Sequence, residues 1–563
     1  MGHVEVNGVA YSLPDGRPLL ADVSFQVDHA SCTALVGPNG CGKSTLLRMI
    51  ERAAERSPGS QLCPENGSIS VEGSLAVMSQ FVGRPRDATT VRDLLVSVAP
   101  AELRSAGQAL DEAHGALQRD DDEAHQLAFA RALADWGDLG GYEAEVAWDA
   151  ATTDALGLAF AEAAGRPVRT LSGGEQKRLL LSALFSSRAD LLLLDEPDNY
   201  LDVAGKEWLE EMLQATRKTV LFVSHDRELL RRSATRVVTL EWTAAGSTAW
   251  VHGASYATYH EARLSRLERL EELGRRWDEE HERLRAYVVA MRQKASYNSD
   301  FASKLTNALH RLERFEKAGP PEAVPRPPRL SVRLRGAATG KRAVTCRSLA
   351  LTGLTHQFDL EVIAGERVCC LGPNGSGKSH FLRLLAGADV AHSGQFALGA
   401  RVVAGHFAQT HEHEELIGRE VSEMLARDFD LSLEGAVASL GRYELAAARR
   451  QTFESLSGGQ QARLQILMLE LSGSTLLLLD EPTDNLDVES AEALEGGLDT
   501  FEGTVIAVTH DRFFARQFDR FLLFSGDGSV EETPTPVFSE SSRERAAGGR
   551  KKARVAGALR PSP

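Results

Sequence analysis

A phosphate-binding motif occurs twice in this chain, and it constrains the fold more strongly than any other feature. Residues 37–44 read GPNGCGKS, and residues 372–379 read GPNGSGKS. The first copy lies between an apolar, strand-like run and a helical run, which is the context that the pattern G-x-x-x-x-G-K-[ST] requires. Its glycines let backbone amides surround phosphate oxygens, and a helix N-terminus adds positive potential. We therefore predict two phosphate-binding α/β units.

Motifs downstream of the first copy supply the groups that nucleotide hydrolysis requires. Residues 171–174 read LSGG before a helical run, where Ser172 can cap the helix and the glycines let the backbone approach a phosphate. An apolar run then ends at Asp195 and Glu196. We predict that Asp195 binds Mg²⁺ and that Glu196 orients or deprotonates water. His225 follows another apolar run, at the carboxyl end of a parallel strand, where open α/β sheets place ligand contacts.

The second half of the chain repeats these motifs in the same order. The acidic pair recurs as Asp480 and Glu481 and the histidine as His510, each 285 residues after its first copy (195 to 480, 225 to 510). The phosphate-loop lysine recurs 335 residues later (43 to 378), so the first half carries about 50 extra residues before its signature. This insertion, at about 85–140, is rich in helix-forming residues. It fits either a small projecting arm or an enlarged helical subdomain.

The order of these motifs resembles that of an ABC-type ATPase. The resemblance implies that Gln80 and Gln409 contact Mg²⁺ or water, and that Asp202 and Asp487 belong to the loops after the acidic pairs. It also implies head-to-tail pairing, with the ATP on each phosphate loop closed over by the LSGG segment of the other cassette. Both halves keep the glutamate and the histidine, so we expect both sites to hydrolyse ATP. His380 departs from the family, which usually has Thr at this position.

Together the motifs and the resemblance predict two α/β P-loop cassettes that bind ATP and Mg²⁺. Tyr11 is predicted either to stack on adenine or to be a core aromatic residue. The predicted catalytic residues are Glu196, Glu481, His225 and His510, and the predicted metal ligands are Ser44, Gln80, Asp195, Ser379, Gln409 and Asp480. The predicted nucleotide contacts are Gly37, Pro38, Asn39, Gly40, Cys41, Gly42, Lys43, Ser44, Thr45, Gly372, Pro373, Asn374, Gly375, Ser376, Gly377, Lys378, Ser379, His380, Ser172, Gly173, Gly174, Ser457, Gly458, Gly459 and Tyr11.

The segment between the cassettes is predicted to be a coiled helical hairpin. Two charged helical runs are separated by a polar break at about 295–300, and the first, from about 256 to 292, would be roughly 55 Å long at ~1.5 Å per residue. Apolar residues recur at alternating spacings of three and four, which gives each helix one narrow seam. The predicted seam residues are Leu270, Leu273, Trp277, Leu284, Tyr287 and Met291 in the first helix and Leu305, Ala308, Leu312 and Phe315 in the second.

Two cassettes joined by such a hairpin resemble the ABC-F family. The resemblance implies that the hairpin enters the E site of the bacterial 70S ribosome and meets 23S rRNA and the P-site tRNA. The tip sequence 294–301 and the sequence TDNLD at 483–487 resemble the antibiotic-resistance branch from macrolide-producing bacteria. That branch implies macrolide or lincosamide protection by dislodging the drug, with hydrolysis for release. The predicted RNA-contacting residues are Arg292, Lys294, Tyr297, Phe301, Lys304 and Arg311.

Three other functions fit parts of the sequence. They are a translation factor of the same family without a role in resistance, the energy module of a drug exporter, and a DNA-repair or chromosome ATPase. The hairpin has no role in an exporter, and a repair ATPase would need a longer coil or zinc modules within a cassette. The net charge of −16 argues weakly against nucleic acid, although the residues at 292–317 and 541–563 are locally basic.

The expected organisation follows from these motifs. We predict a first cassette at 1–255, the hairpin and a Pro-rich return at 256–335, a second cassette at 336–540 and a basic tail at 541–563. No apolar run approaches the ~20 residues needed to span a bilayer, and no leader-like segment begins the chain. The six cysteines show no C-x-x-C pairing, as expected of free thiols in a reducing compartment. We therefore expect a cytoplasmic protein that is monomeric, with cassettes paired within one chain.

Overall fold

The protein folds as two α/β cassettes in tandem with a helical hairpin between them, as the sequence predicts. The computed structural model describes residues 2–55, 62–79, 89–243, 245–297, 301–325, 330–336, 340–408 and 416–538. Gln80, Gln409 and the basic tail 541–563 therefore lie outside the described residues, as does the start of the predicted insertion. In the described part of the chain, no helix is long and apolar enough to cross a membrane.

The first cassette is built on a nine-stranded sheet whose parallel part carries the functional motifs. Its central strands are continuous buried runs of Leu, Val and Ala, which is the composition of strands covered on both faces. The strand order is β4-β1-β2-β9-β8-β3-β7-β6-β5. The strands are β1 (His3–Ser12), β2 (Pro18–Val27), β3 (Cys32–Val36), β4 (Asn66–Glu72), β5 (Leu75–Met78), β6 (Leu191–Asp195), β7 (Thr219–Val223), β8 (Arg236–Thr243) and β9 (Gly246–His252).

Helices cover the parallel strands of this sheet, and three of them begin at functional motifs. The helix α1 begins at the phosphate-loop lysine, α7 begins at the LSGG segment, and α8 begins after Asp202. The helices are α1 (Lys43–Glu55), α2 (Val91–Ser97), α3 (Ala101–Arg119), α4 (Glu123–Asp138), α5 (Gly141–Leu156), α6 (Phe160–Ala163), α7 (Gly173–Ser186), α8 (Val203–Ala215) and α9 (Arg227–Ser233).

The insertion of the first cassette combines both predicted forms. Near the cassette, Leu110 and Trp136 are buried in the same core as Trp148 of α5, so the base belongs to an enlarged helical subdomain. Farther out, residues 111–131, all of which the structure describes, include no buried side chain. This outer part of the α3–α4 pair therefore projects as an arm.

The hairpin consists of α10 (Tyr259–Tyr297) and α11 (Ala302–Ala318), with a short 3-10 turn before α10. Its 39 residues make α10 roughly 58 Å long at ~1.5 Å per residue. The distal core is formed by Val288, Met291 and Ala308, and farther down Trp277 stacks on Phe315 with ring centroids 5.3 Å apart. The two helices are therefore antiparallel and pair over the outer half of α10.

Two predicted seam positions differ in the structure. Tyr287 is 47% exposed, and the neighbouring Val288 is buried in its place. Leu273 is 39% exposed, because α11 ends at Ala318 and does not extend along α10 to that level. The sequence pattern assumed a seam along the whole of α10, whereas α11 has only 17 residues to cover it.

The second cassette repeats the plan with two sheets, ordered β11-β10-β13 and β14-β15-β16-β12-β17-β18. Its helices are α12 (Lys378–Leu385), α13 (Val421–Asp428), α14 (Leu433–Arg442), α15 (Gly458–Ser472) and α16 (Val488–Asp499). Its strands are β10 (Arg342–Leu351), β11 (Phe358–Ile363), β12 (Arg367–Leu371), β13 (His392–Leu398), β14 (Ala404–Phe407), β15 (Leu476–Asp480), β16 (Thr504–Val508), β17 (Arg520–Phe524) and β18 (Val530–Thr533).

The cysteines are free thiols, as expected. Cys63 is exposed, and the other five are buried, among them Cys369 and Cys370 in β12. Burial raises the pKa of Cys32 to about 12 and holds that thiol in its neutral, unreactive form.

Candidate ATP sites and the hairpin tip

Each phosphate loop joins a central strand to a helix that begins at the lysine of the motif. Lys43 Nζ donates to Gly37 O at 2.7 Å and to Pro38 O at 3.1 Å, and Lys378 Nζ makes the same two contacts in the second loop. Gly37 has φ +150°, and a Cβ there would lie 2.5 Å from Leu240 O. The loop therefore tolerates only glycine at this point, and each lysine is folded back onto the carbonyl oxygens of its own loop, where its ammonium group is available to a phosphate chain.

Two of the residues predicted to hold Mg²⁺, a serine and an aspartate, meet at the mouth of each loop. In the second cassette Ser379 Oγ lies 3.1 Å from Asp480 Oδ1. In the first, burial raises the pKa of Asp195, while a hydrogen bond from Ser44 and the charge of Lys43 oppose that rise. Asp195 Oδ1 is buried without a hydrogen-bond partner among the described residues. A hydroxyl and an orphaned carboxylate oxygen are hard ligands of the kind that Mg²⁺ takes, so the residues fit this ion.

Both predicted catalytic glutamates occupy a strained backbone conformation. Glu196 has φ +51° and Glu481 has φ +48°, which is the left-handed region that residues with a Cβ rarely adopt. The backbone amide of Glu196 donates to Val223 O at 2.9 Å, and that of Glu481 donates to Val508 O at 3.0 Å. These bonds tie each glutamate to the next strand and turn its side chain away from the strand direction.

The two glutamates have different hydrogen-bond partners. Asn199 Nδ2 donates to Glu196 Oε2 at 2.7 Å. The equivalent residue of the second cassette, 285 positions later, is Asp484, which has a carboxyl group in place of the amide. Glu481 Oε2 instead accepts the backbone amide of His510 at 2.9 Å. The two hydrolytic sites are therefore chemically unequal, a difference that the motif spacing alone does not reveal.

Both switch histidines are neutral. Burial, and next the charge of the phosphate-loop lysine, lower the pKa of His225 and of His510 to about 3. His510 Nε2 lies 2.9 Å from Asn374 Oδ1, whereas both ring nitrogens of His225 are buried without a partner in the described chain. A neutral imidazole with an unfilled nitrogen can hydrogen-bond a phosphate oxygen, as a switch histidine requires.

The structure brings each phosphate loop against the other cassette, as the predicted head-to-tail pairing requires. Asn39 N donates to Asp487 Oδ2 at 2.8 Å, and Asn39 Nδ2 donates to Asn485 O at 2.9 Å. A Cβ on Gly459 would lie 2.2 Å from Asn39 Nδ2, so the second LSGG segment lies directly on the first phosphate loop. On the opposite side, Asn374 Nδ2 approaches Tyr200 O at 3.4 Å. Each site is thus formed by both halves of the chain.

Comparison with known proteins fits this architecture. The ABC transporter family model matches residues 20–199 and 355–484. A protein of Mycobacteroides abscessus named "Antibiotic resistance protein" is 54% identical over 95% of this chain and 100% of its own length. The Arabidopsis thaliana protein named "ABC transporter F family member 5" is 30% identical over 92% of this chain and 74% of its own length. The chain belongs to the ABC-F family of ABC ATPases.

The fold of this ABC-F ATPase is also similar to that of a solved twin-cassette protein. The structure titled "RNase-L Inhibitor" has a TM-score of 0.56 and 18% identity over 97% of this chain and 92% of that chain. At that identity the similarity establishes the arrangement of two tandem cassettes and nothing further.

The cassettes of the ABC-F protein are also joined by two ion pairs that sequence reasoning missed. Arg227 forms a two-pronged pair with Glu495, and Arg512 forms one with Glu210. All four side chains are nearly buried. The repeat offset of 285 relates Arg227 to Arg512 and Glu210 to Glu495. This repetition of one arginine and one glutamate was the sequence signal from which the ion pairs could have been found.

Two predicted nucleotide contacts of the ABC-F protein lie in different settings. Tyr11 is 8% exposed and packs in the core with Leu19 and Leu20, so its position fits the core-aromatic interpretation and not stacking on adenine. His380 is exposed, on the first turn of α12, directly after Ser379. The nucleotide contact of this histidine therefore stays a prediction.

The hairpin tip of the ABC-F protein has one aromatic side chain exposed to solvent and another packed against the hairpin core. Tyr297 is 92% exposed at the end of α10. Phe301 packs on the Val288–Ala308 core, and Lys304 Nζ and Lys294 Nζ lie 4.9 and 5.9 Å from its ring centroid. Arg311 lies 3.5 Å from Glu280 and is 64% exposed, and Arg292 is also exposed. Tyr297 is therefore better placed than Phe301 to stack on a base.

Proposed function

We propose that this ABC-F ATPase binds the E site of the bacterial 70S ribosome through α10 and α11 and protects the ribosome from an antibiotic. The observation that carries the proposal is the hairpin. It places a rod of roughly 58 Å between two ATPase cassettes, at ~1.5 Å per residue, and all the residues predicted to bind or hydrolyse the nucleotide lie outside it. An ATPase that closes around nucleotide can use such a rod to act on a distant partner.

The charge of the hairpin tip favours an RNA partner. Residues 292–311 contain four Lys or Arg (Arg292, Lys294, Lys304 and Arg311) and one carboxylate, Asp300. This local excess contrasts with the net charge of −16 for the whole chain. Basic side chains beside an exposed tyrosine suit phosphates and an unstacked base, as found in 23S rRNA and at the P-site tRNA.

The resistance role is supported by the relative of nearly equal length that is named an antibiotic resistance protein. We propose macrolides or lincosamides as the drug class, and displacement of the drug by the tip or by the tRNA that it moves. A protein that acts on the ribosome would work in the cytoplasm. The drug would then bind the ribosome and not this chain, which explains why no drug pocket is needed in the cassettes.

The cassettes would switch the protein between a ribosome-bound and a released state. ATP, held by the loops at Lys43 and Lys378, would close the paired cassettes and stabilise the hairpin on the ribosome. Mg²⁺ would be bound by Ser44 and Asp195 in one site and by Ser379 and Asp480 in the other, with Gln80 and Gln409 proposed as further contacts. Bound Mg²⁺ neutralises charge on the β- and γ-phosphates. Glu196 and Glu481 would position the attacking water, and hydrolysis would release the protein.

Sedimentation with purified 70S ribosomes tests the partner. The double variant Glu196→Gln/Glu481→Gln should bind ATP without hydrolysing it and should therefore hold the closed state. We expect it to co-sediment with 70S ribosomes in ATP and to remain in the supernatant without nucleotide. Failure to bind under every nucleotide condition would refute the ribosome as partner and favour a membrane-bound one.

A hairpin variant tests resistance separately. Replacing residues 294–301 with Gly and Ser should abolish rescue of drug-inhibited translation while basal ATP hydrolysis stays within about twofold. The matched control replaces residues 117–124 at the tip of the α3–α4 arm, where residues 118–124 are exposed. Unchanged drug sensitivity on deletion of the gene, together with a general translation defect, would identify a translation factor without a resistance role.

A further inference from the structure

One helix of the second cassette, α16, begins on the ATP site of the first. Asp487 caps α16, because its Oδ1 accepts the amide of Ser490 at 2.8 Å. The other oxygen of Asp487 accepts the amide of Asn39, in the loop that ends at Lys43. A change in that loop therefore acts directly on the first turn of α16.

The same helix holds the base of α10. Glu489, Glu492 and Glu495 follow one another at intervals of three, so they lie along one face of α16. Glu489 binds Arg263 Nη2, and both side chains are 17% exposed. Glu492 Oε1 lies 3.0 Å from His260 Nε2. Both partners belong to the first two turns of α10.

The chain that returns from the hairpin also rests on α16. A Cβ on Gly497 would lie 2.5 Å from Val332 Cγ1, so Val332 occupies the space that a side chain at position 497 would need. At the base of the hairpin, Arg266 bridges Glu322 of the return segment and Glu241 of β8. Both ends of the hairpin are thus anchored beside one another, and both contact α16.

The equivalent helix of the first cassette, α8, lacks these contacts. The positions that correspond to Glu489 and Gly497 are Ala204 and Met212, 285 residues earlier. Among the described residues, Asp202 accepts the amide of Gly205, 2.9 Å away, and its charge acts on Lys378 through space, without a hydrogen bond to that loop like the one from Asn39 to Asp487. The pseudo-symmetry of the cassettes is therefore broken at the helix that holds the hairpin.

We propose that α16 couples the ATP site on Lys43, and not the site on Lys378, to the orientation of the hairpin. Closure over the Lys43 site fixes Asp487 against Asn39, and α16 then sets the base of α10 through Glu489 and Glu492. A helix transmits such a displacement as a rigid rod. A rotation of about 5° at the base would move the end of α10 by about 5 Å, given its length of roughly 58 Å at ~1.5 Å per residue.

The test measures the hairpin in the isolated protein and does not depend on the ribosome as partner. Spin labels are placed at Ser296→Cys and Glu434→Cys, both exposed, in a Cys63→Ser, Glu196→Gln/Glu481→Gln background. Pulsed dipolar spectroscopy then gives the distance distribution with and without ATP. We expect ATP to narrow the distribution to one distance, with this response lost in Lys43→Ala and retained in Lys378→Ala.

A second pair of variants tests the contacts on α16. Glu489→Gln/Glu492→Gln removes the ion pair with Arg263 and weakens the contact with His260, with little change of volume. Glu207→Gln is the matched control at the equivalent of Glu492 in α8. We expect the response to ATP to be lost in the α16 variant and retained in the control, with equal thermal stability. Loss of the response in Lys378→Ala as well, or equal responses of the α16 variant and its control, would overturn the proposal.

Discussion

Arg227 and Glu495 form a buried, two-pronged ion pair between the cassettes, with Arg227 Nη1 3.0 Å from Glu495 Oε2. Arg227 lies two residues after the switch histidine, and Glu495 lies on α16, which begins at the opposing loop. The pair of Arg512 and Glu210 repeats the relationship across the pseudo-two-fold axis. Each switch segment is thus attached to the helix that follows the other cassette's acidic pair.

Arg227→Met should weaken closure of the cassettes. The substitution leaves Glu495 buried without its charged partner, which costs about 3 kcal/mol for a pair of this kind. We expect the thermal stabilisation by ATP to decrease and the turnover of ATP to fall at least tenfold. The control is Arg275→Met, because the Arg275–Glu279 pair is about two-thirds exposed and contributes little. Wild-type turnover in Arg227→Met would contradict a role of this pair in closure.

Asn199→Asp should slow hydrolysis at the Lys43 site. The amide of Asn199 donates to Glu196, and a carboxylate in its place would repel the glutamate and disturb its orientation. In a Glu481→Gln background, which leaves only this site active, we expect about a tenfold fall in kcat, or about 1.4 kcal/mol. The measurement is steady-state release of phosphate.

The reciprocal variant supplies the control for that prediction. Asp484→Asn, in a Glu196→Gln background, introduces the missing amide beside Glu481 and should leave hydrolysis at the Lys378 site unchanged or faster. Equal rates for Asn199→Asp and its parent would show that the amide does not position Glu196.

The parts of the site that sequence predicts are those set by local backbone chemistry. A phosphate loop needs glycines such as Gly37 and a lysine at fixed spacing, so the motif alone locates it. The partner of Asn39 lies 448 residues away, and that of Arg227 lies 268 residues away. Such contacts depend on how the cassettes dock. In the sequence, the repeat offset of 285 was the one indication that Arg227 and Arg512 are equivalent residues.

The spacing of apolar residues also gave wrong predictions where packing between the two hairpin helices decides which side chain is buried. The spacing of apolar residues placed Tyr287 in the seam, but the register with α11 selected Val288. A single aromatic residue such as Tyr11 has the same pattern whether it faces adenine or the core. These choices depend on tertiary packing, which overrides the local period.

Acidification should destabilise the protein through His510. Burial and the charge of Lys378 hold the pKa of His510 at about 3, below its usual 6.5. Below pH 6.5 the unfolded chain binds this proton and the folded chain does not, so the stability contributed above 6.5 is lost as the pH falls toward 3. The loss is about 2 kcal/mol at pH 5, at about 1.4 kcal/mol per pH unit.

His510→Gln should therefore show a smaller fall in melting temperature between pH 7.5 and pH 5 than the wild type. His380→Gln is the control, because it makes the same substitution at an exposed histidine. Parallel pH profiles for the wild type and His510→Gln would contradict a buried neutral imidazole.

Val288→Asp should open the outer half of the hairpin without affecting the cassettes. Val288 is 6% exposed and packs with Met291 and Ala308 in a small core separate from those of the cassettes. Burying a carboxylate in that core costs several kcal/mol, so α10 and α11 should separate near the tip. We expect trypsin to cleave at Arg292, Lys294, Lys304 and Arg311 at least tenfold faster, while basal ATP hydrolysis stays within about twofold.

The neighbouring substitution Val289→Asp isolates the effect of burial from that of charge. Val289 is 55% exposed, so the same carboxylate there meets water and should leave cleavage by trypsin unchanged. If the proposed function is correct, Val288→Asp should also lose ATP-dependent co-sedimentation with 70S ribosomes, whereas Val289→Asp should keep it. Equal protease sensitivity of the two variants would show that α10 and α11 are not held together by the Val288 core.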